Sequence, residues 1–504
     1  MFRKALSLVT ASVLSLTVLA GCASGSSSSG ASSGASSGAA NGEKPYEVNF
    51  AYMAVQGGPT DEVRAKVNEL TLSELNMTVN LIPLSFTDYF SKLPLMMASG
   101  TDPLDITFVF SQDFGSFVDA QYIVNAADYK EQTKDIYELF GEDTDAGTIG
   151  DFLVGFPTVK ESTSPSALIV RKDIFDELGY KVDDFNVNTD DYSSFGQLTD
   201  LFAAAKAKYP DMVMFDGNFT LGLQTFTYID PLGDTFGVLE DYGQTTTVTN
   251  WYESEQFKQF AEINHEWYEA GYISKDIAVN QDEGEVKMKA GNTFSFIKTY
   301  KPNTAVEKLS QTGYEVEIIP ISEGVKSTSA SSGALLCVAN AAKDKTKAFE
   351  FLNWAYTNGQ FNDLLNWGVE GVDWVSNADG QAEYPAGKDI STVSYHNDCG
   401  FILPNQFAGH VWTGNPLNLP ELYEEQNTTA QVSKGYGFFF DSTKVASEVA
   451  QLNSVLEQYK KPVSFGVSDP EKALKALNDA LYAAGLQKVI DEKQTQINTW
   501  LQAQ

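Results

Sequence analysis

Tyr46-Glu47-Val48-Asn49-Phe50-Ala51-Tyr52-Met53 decides the fold, together with the two runs that echo it, Met77-Thr78-Val79-Asn80-Leu81-Ile82-Pro83 and Asp105-Ile106-Thr107-Phe108-Val109-Phe110. Each is short, rich in β-branched and aromatic residues and bounded by turn formers, which marks a strand. After the first, Val55-Gln56-Gly57-Gly58-Pro59 reads as a loop, and Thr60 is placed to cap a helix. That helix carries Asp61 and Glu62 in its first turn and an apolar face of Val63, Val67 and Leu70. After the second, Phe86, Tyr89, Phe90, Leu93, Met96 and Met97 recur at helical spacing up to Ser99-Gly100. The stripe reads as core, and Pro94 inside it should kink or split the helix. Strand, helix, strand, helix, strand predicts an α/β fold with a mostly parallel sheet covered by helices.

Upstream, Arg3 and Lys4 precede the apolar run Ala5 to Leu19 and the sequence Leu19-Ala20-Gly21-Cys22. A positive start, an apolar segment too short to span a bilayer and small residues before a cysteine describe a signal peptide over residues 1–21. The pattern resembles a bacterial lipobox, with Cys22 as the residue that takes lipid. Two or more acyl chains there would anchor the protein durably. Residues 22–44 are dominated by Ser, Gly and Ala and read as a tether that buries nothing. Within it Gly30-Ala31-Ser32-Ser33-Gly34 matches the form of a hydrolase elbow, but the strand and helix that would strain its serine are missing.

The formal charge of −33 becomes about −35 once Arg3 and Lys4 leave with the signal. Nucleic acid is thereby excluded as a partner, since binding it takes a basic stripe. Beyond the signal, Arg64 and Arg171 are the only arginines, so clamps for phosphates are poorly provided for. Arg171 is assigned to a structural ion pair with Asp173 or Asp176. The histidines His265, His396 and His410 show no ligand spacing, and neither metal nor cofactor is expected. Cys337 sits in Ala334-Leu335-Leu336-Cys337-Val338, which reads as a buried strand, and could still pair with Cys399.

Further along, Phe257, Phe260, Ala261, Trp267 and Tyr268 predict an amphipathic helix running to Gly271. Thr293 to Ile297 and Tyr314 to Pro320 predict strands, and the latter could cross between lobes. Asp469-Pro470 opens a helix with Leu474, Leu477, Leu481 and Ala484 on one face.

Lys92-Leu93-Pro94-Leu95-Met96-Met97-Ala98-Ser99-Gly100 followed by Asp105-Ile106 resembles extracellular solute-binding proteins of the sugar-binding class that serve ABC importers. The resemblance continues through Ile169-Val170-Arg171-Lys172-Asp173, Lys208-Tyr209-Pro210-Asp211, Lys289-Ala290-Gly291 and Asn366-Trp367-Gly368-Val369-Glu370-Gly371. At the end, Glu492-Lys493-Gln494-Thr495-Gln496 and Trp500 look like the C-terminal domain of a Gram-positive lipoprotein subgroup. It implies a two-lobed periplasmic-binding-protein-like fold with a hinge between lobes and a helical C-terminal extension. Residues 45–160 plus 321–372 would form lobe 1, and 161–320 plus 373–504 lobe 2 with the helical region. It also implies a monomer on the outer face of the cell membrane that hands its ligand to ABC permease subunits.

A sugar presents flat apolar faces and a rim of hydroxyls, so its site needs aromatic plates beside carboxylates or amides. The loops richest in both supply Phe110, Asp113, Trp251, Tyr300, Trp367, Glu370, Trp374 and Trp412, and Gln56 lies in the first strand-to-helix loop, where open α/β sheets place ligands. Trp367 and Trp374, with Glu370, flank glycines that could aim both indoles into one cleft. The structural alternative is that each tryptophan wedges its lobe together. A soluble carbohydrate, an oligosaccharide in preference to a monosaccharide, is the expected ligand, bound without chemistry, with peptide as runner-up. A secreted glycoside hydrolase would need two acids about 5–10 Å apart across a cleft, which a chain with 67 acidic residues does not exclude. A surface adhesin or scaffold would carry repeats, and none is visible.

Overall fold

A computed structural model of the chain describes residues 44–54, 57–99, 103–163, 165–216, 228–279, 282–328 and 330–503. Cys22, the signal and tether, and Gln56 lie outside the described residues. The predicted strands form as β1 (Tyr46–Met53), β2 (Met77–Leu84) and β3 (Ile106–Phe110). Later come β4 (Phe156–Pro157), β5 (Ser166–Arg171), β6 (Val213–Phe215), β7 (Thr293–Thr299), β8 (Val316–Pro320) and β9 (Ala334–Val338).

The first sheet has the order β2-β1-β3-β9-β4. β1 is parallel to β2 and β3, with Phe50 opposite both Leu81 and Ile106, and β9 runs antiparallel to β3, Leu336 opposite Phe108. The helix Asp61–Leu75 is capped as expected, the Thr60 hydroxyl accepting from the Val63 N–H at 3.2 Å, and buries Val63, Val67 and Leu70. Pro94 splits the next helical stretch into Phe86–Ser91 and Leu93–Ser99. It stands in the first turn of the second piece, where its missing N–H leaves no bond unmade.

The stripe along these two helices is only half core. Tyr89, Leu93 and Met97 are buried, but Phe86 and Phe90 stay 59% and 49% exposed. Residues 86 to 97 carry more apolar surface than one helix face can bury, so the stripe separates into a core edge and an exposed edge.

The second sheet has the order β8-β5-β7-β6. β5 is antiparallel to both neighbours, with Ile169 opposite Ile318 and Leu168 opposite Ile297. The strand read from Tyr314 to Pro320 is thus an edge of this sheet. Arg171 pairs with Asp173 at 2.5 Å and lies over the Tyr314 ring, which is the structural ion pair expected of it.

Two large cores result. The first draws on residues 48–156 and 334–403, the second on 168–321 and 438–497. Cys337 and Cys399 are both buried free thiols in the first. Three C-terminal helices, Ala446–Ser464, Pro470–Ala483 and Leu486–Leu501, pack on the second core through Leu474, Leu477, Leu481 and Val489. The chain passes from the first sheet to the second between β4 and β5 and returns between β8 and β9. Beside that return, Val325–Lys326 pairs with Gln431–Val432. There Asp143 receives Lys326 and the Tyr436 hydroxyl, while Asp230 receives the Thr328 N–H and hydroxyl. No helix among the described residues is long and apolar enough to cross a membrane.

Candidate functional site

The C-terminal ends of β1, β2 and β3 share one edge of the first sheet, and aromatic side chains gather there. Phe86 and Phe90 meet at 5.2 Å between ring centroids, and Phe110 lies 5.9 Å from Phe86 and 4.7 Å from Tyr89. The Tyr89 hydroxyl accepts from the Phe110 N–H at 2.9 Å and donates to Asp113 at 2.8 Å. Phe110 and Asp113 are therefore brought together, on a shelf whose exposed rings are Phe86 and Phe90.

The same edge is covered by residues 395–398. Asn397 donates to the Met53 carbonyl at 3.1 Å, at the end of β1, and Tyr395 donates to the Leu365 carbonyl at 2.7 Å. Asp373, 1% exposed, fixes this segment to the loop before it. One of its oxygens accepts the Ser394 N–H, the Ser394 hydroxyl and the Tyr395 N–H at 3.1, 2.5 and 3.0 Å, and the other accepts the Val369 N–H at 3.0 Å.

Held this way, His396 lies inside a group of rings. Trp412, Trp367 and Tyr384 stand 4.7, 5.2 and 5.3 Å from it, and Trp367 and Trp412 are 4.9 Å apart. Burial pushes the His396 imidazole down to about 4, with the Asp373 charge opposing, so the ring is neutral. Trp412 and Tyr384 are half-buried. Trp367 and Trp374 are only 6% and 3% exposed, and their indole N–H groups are spent on the carbonyls of His410 and Gly368, at 3.0 and 3.1 Å. These two indoles form a small core with Ala382, and the half-buried Trp412 packs against it.

Glu370 is exposed, and with Trp374 it lines a groove of about 720 Å³. In the groove His410 Nδ1 lies 2.7 Å from Asp363. Burial raises the Asp363 carboxyl while the His410 contacts lower it. Trp412 is not among the residues that line this groove. Tyr300 lines a smaller cavity of about 200 Å³ with Glu161, Lys301 and Glu307. Although burial opposes it, the charges of Glu161 and Glu307 hold the Lys301 ammonium above its usual range.

Trp251 lies in the second core. It is 3% exposed and packs at 5.9 Å from Phe257, because the helix Glu255–Glu269 covers it. Sequence reasoning missed Phe86, Phe90, Tyr384 and His396. The overfull stripe was the signal for the two phenylalanines. Nothing in the sequence pattern brings residues 384, 396 and 412 together. Among the described residues no group of three or more metal-binding side chains occurs.

A family model described as bacterial extracellular solute-binding protein matches residues 65–370, and one described as a domain of unknown function (DUF3502) matches residues 434–502. A carbohydrate ABC transporter substrate-binding protein of Streptococcus pneumoniae is 25% identical over 452 residues, 88% of each chain. The crystal structure of an N-glycan transport solute binding protein from the same species superposes with a TM-score of 0.78 at 22% identity, covering 91% of this chain and 99% of that one. An HMO binding, ABC-transporter associated solute binding protein from Bifidobacterium longum infantis gives 0.60 at 13% identity, covering 91% and 100%. Those superpositions establish a shared mixed α/β fold, and with the family model spanning more than half of its length, the chain belongs to the bacterial extracellular solute-binding proteins.

Proposed function

We propose that this protein captures a soluble carbohydrate, an oligosaccharide in preference to a monosaccharide, and delivers it unaltered to an ABC permease. The observation that carries the reading is the aromatic edge of the first sheet: Phe86, Phe90 and Phe110 with Asp113 on one side, Tyr384, His396 and Trp412 on the other. Exposed rings beside hydrogen-bonding groups are what a sugar face and its hydroxyl rim require. The named functions of the relatives, carbohydrate and N-glycan transport, support the same ligand class. Phe110, Asp113 and Trp412 contact the ligand directly, and Tyr300 approaches it from the second sheet. Trp367 and Trp374 act behind them, as the wall against which Trp412 is set.

A thermal-shift screen across neutral glycans, uronates and peptides tests this, because a ligand that binds only the native state raises the melting temperature. Neutral glycans should raise it and be recovered intact. A shift with peptides alone would replace the ligand class, and cleavage of a glycan by pure protein would replace capture with hydrolysis.

Lipid on Cys22 would hold the receptor at the extracellular face of the membrane, supported by the lipobox-like sequence and the Ser/Gly tether. Cys22→Ser should release the protein or leave its signal uncleaved. Unchanged membrane retention of a processed chain would contradict the anchor.

A further inference from the structure

The chain has three histidines, and two are anchored by hydrogen bonds. His265 Nδ1 lies 2.6 Å from the Gly466 carbonyl, and His410 Nδ1 lies 2.7 Å from Asp363. His396 differs. It is 9% exposed, and its buried Nδ1 has no hydrogen-bond partner. A sealed polar nitrogen left unpaired destabilises a fold, and phenylalanine would fill the same space without that cost.

The backbone around this histidine is held on both sides. Asp373 ties down Ser394 and Tyr395, and Asn397 is fastened to the end of β1. An imidazole so positioned, beside the half-exposed Tyr384 and Trp412 rings at 5.3 and 4.7 Å, is preorganised for something that is not part of the protein.

We propose that His396 is a specificity-determining residue of the glycan site, pairing its imidazole with hydroxyl groups of a neutral sugar and disfavouring uronates. The inference rests on the carbohydrate reading above. A neutral imidazole offers one N–H donor and one acceptor nitrogen. A hydroxyl donates and accepts, so one sugar hydroxyl can pair with the unpartnered nitrogen in either tautomer. A carboxylate only accepts, so it can pair there only in the tautomer that puts the proton on that nitrogen. The Asp398 carboxylate, whose charge acts on Tyr384, adds repulsion against a uronate. Stacking on Tyr384 and Trp412 brings the sugar's hydroxyl rim to the imidazole edge.

The test titrates mannotriose, cellotriose, lacto-N-tetraose and trigalacturonate into the full mature protein and into His396→Phe and His396→Gln. The wild type should bind at least one neutral glycan at least tenfold more tightly than trigalacturonate. His396→Phe should weaken that glycan tenfold or more while its melting temperature stays equal or rises. His396→Gln, which keeps a donor and an acceptor, should lose less. If the Phe variant does not fold, His396→Leu replaces it. Wild-type affinity in a folded apolar variant overturns the role of His396 and leaves the carbohydrate reading standing. A wild type that binds none of the neutral glycans overturns both.

Discussion

At the scale of single residues, the indoles of Trp374 and Trp412 read alike in the sequence and separate in the fold. Trp412 keeps a half-exposed ring beside His396, whereas Trp374 is enclosed and its N–H is spent on Gly368. Trp412→Ala should therefore weaken glycan binding by about 2 kcal/mol, near thirtyfold. Trp374→Ala should lower the stability of the free protein by roughly 3 kcal/mol or more, with the affinity of the folded fraction intact. Calorimetric affinity and urea unfolding of both variants check the pair, and the reverse pattern would exchange their roles.

His396 adds a pH dependence whose sign follows from its burial. Its folded value of about 4 lies below the ordinary 6.5, so between those values the unfolded chain holds more protons than the folded one. Stability from this group is complete above about pH 6.5 and is lost as pH falls toward 4. The loss amounts to about 3 kcal/mol at most. Melting curves from pH 7 to 5 should show the wild type losing stability faster than His396→Phe; parallel slopes would mean that the ring is not held neutral.

At the scale of elements, Pro94 and the caps at Thr60 and Asp469 were legible because each acts through neighbouring backbone. The stripe from Phe86 to Met97 was legible as helix and misjudged in burial, since burial depends on which surfaces other elements cover. The last helix shows the same limit. Its apolar residues predict packing, but nothing in the sequence reveals that Lys493 is fully buried, donating to Asp234 at 2.6 Å and to the Gly237 carbonyl at 2.9 Å. Burial lowers its pKa while Asp234 opposes the shift. Lys493→Met strands those acceptors and should cost about 3 kcal/mol, read as a lower urea midpoint. An unchanged midpoint would mean that the C-terminal helices are fastened by apolar contact alone.

At the scale of the whole molecule, the α/β class was readable from the alternation between residues 46 and 110, and the order of weak motifs pointed to the family. The candidate site was far less readable. Phe110 and Asp113 end and follow a strand of the first sheet, so local pattern placed them. His396, Tyr384 and Trp412 belong to a stretch with little regular structure, and no periodicity predicts which of its residues meet. Trp251 and Trp374 are rings whose burial depends on what packs over them, which local pattern does not show.

Titration calorimetry of the glycan that gives the largest thermal shift, into wild type and Trp412→Ala, followed by analysis of the recovered ligand, tests the central claim most directly. Capture at the aromatic edge predicts saturable binding of one glycan per protein, near-thirtyfold weakening in the variant and an unaltered ligand. Equal affinity in both proteins would remove Trp412 from the site, and a cleaved glycan, or binding of peptides alone, would contradict carbohydrate capture itself.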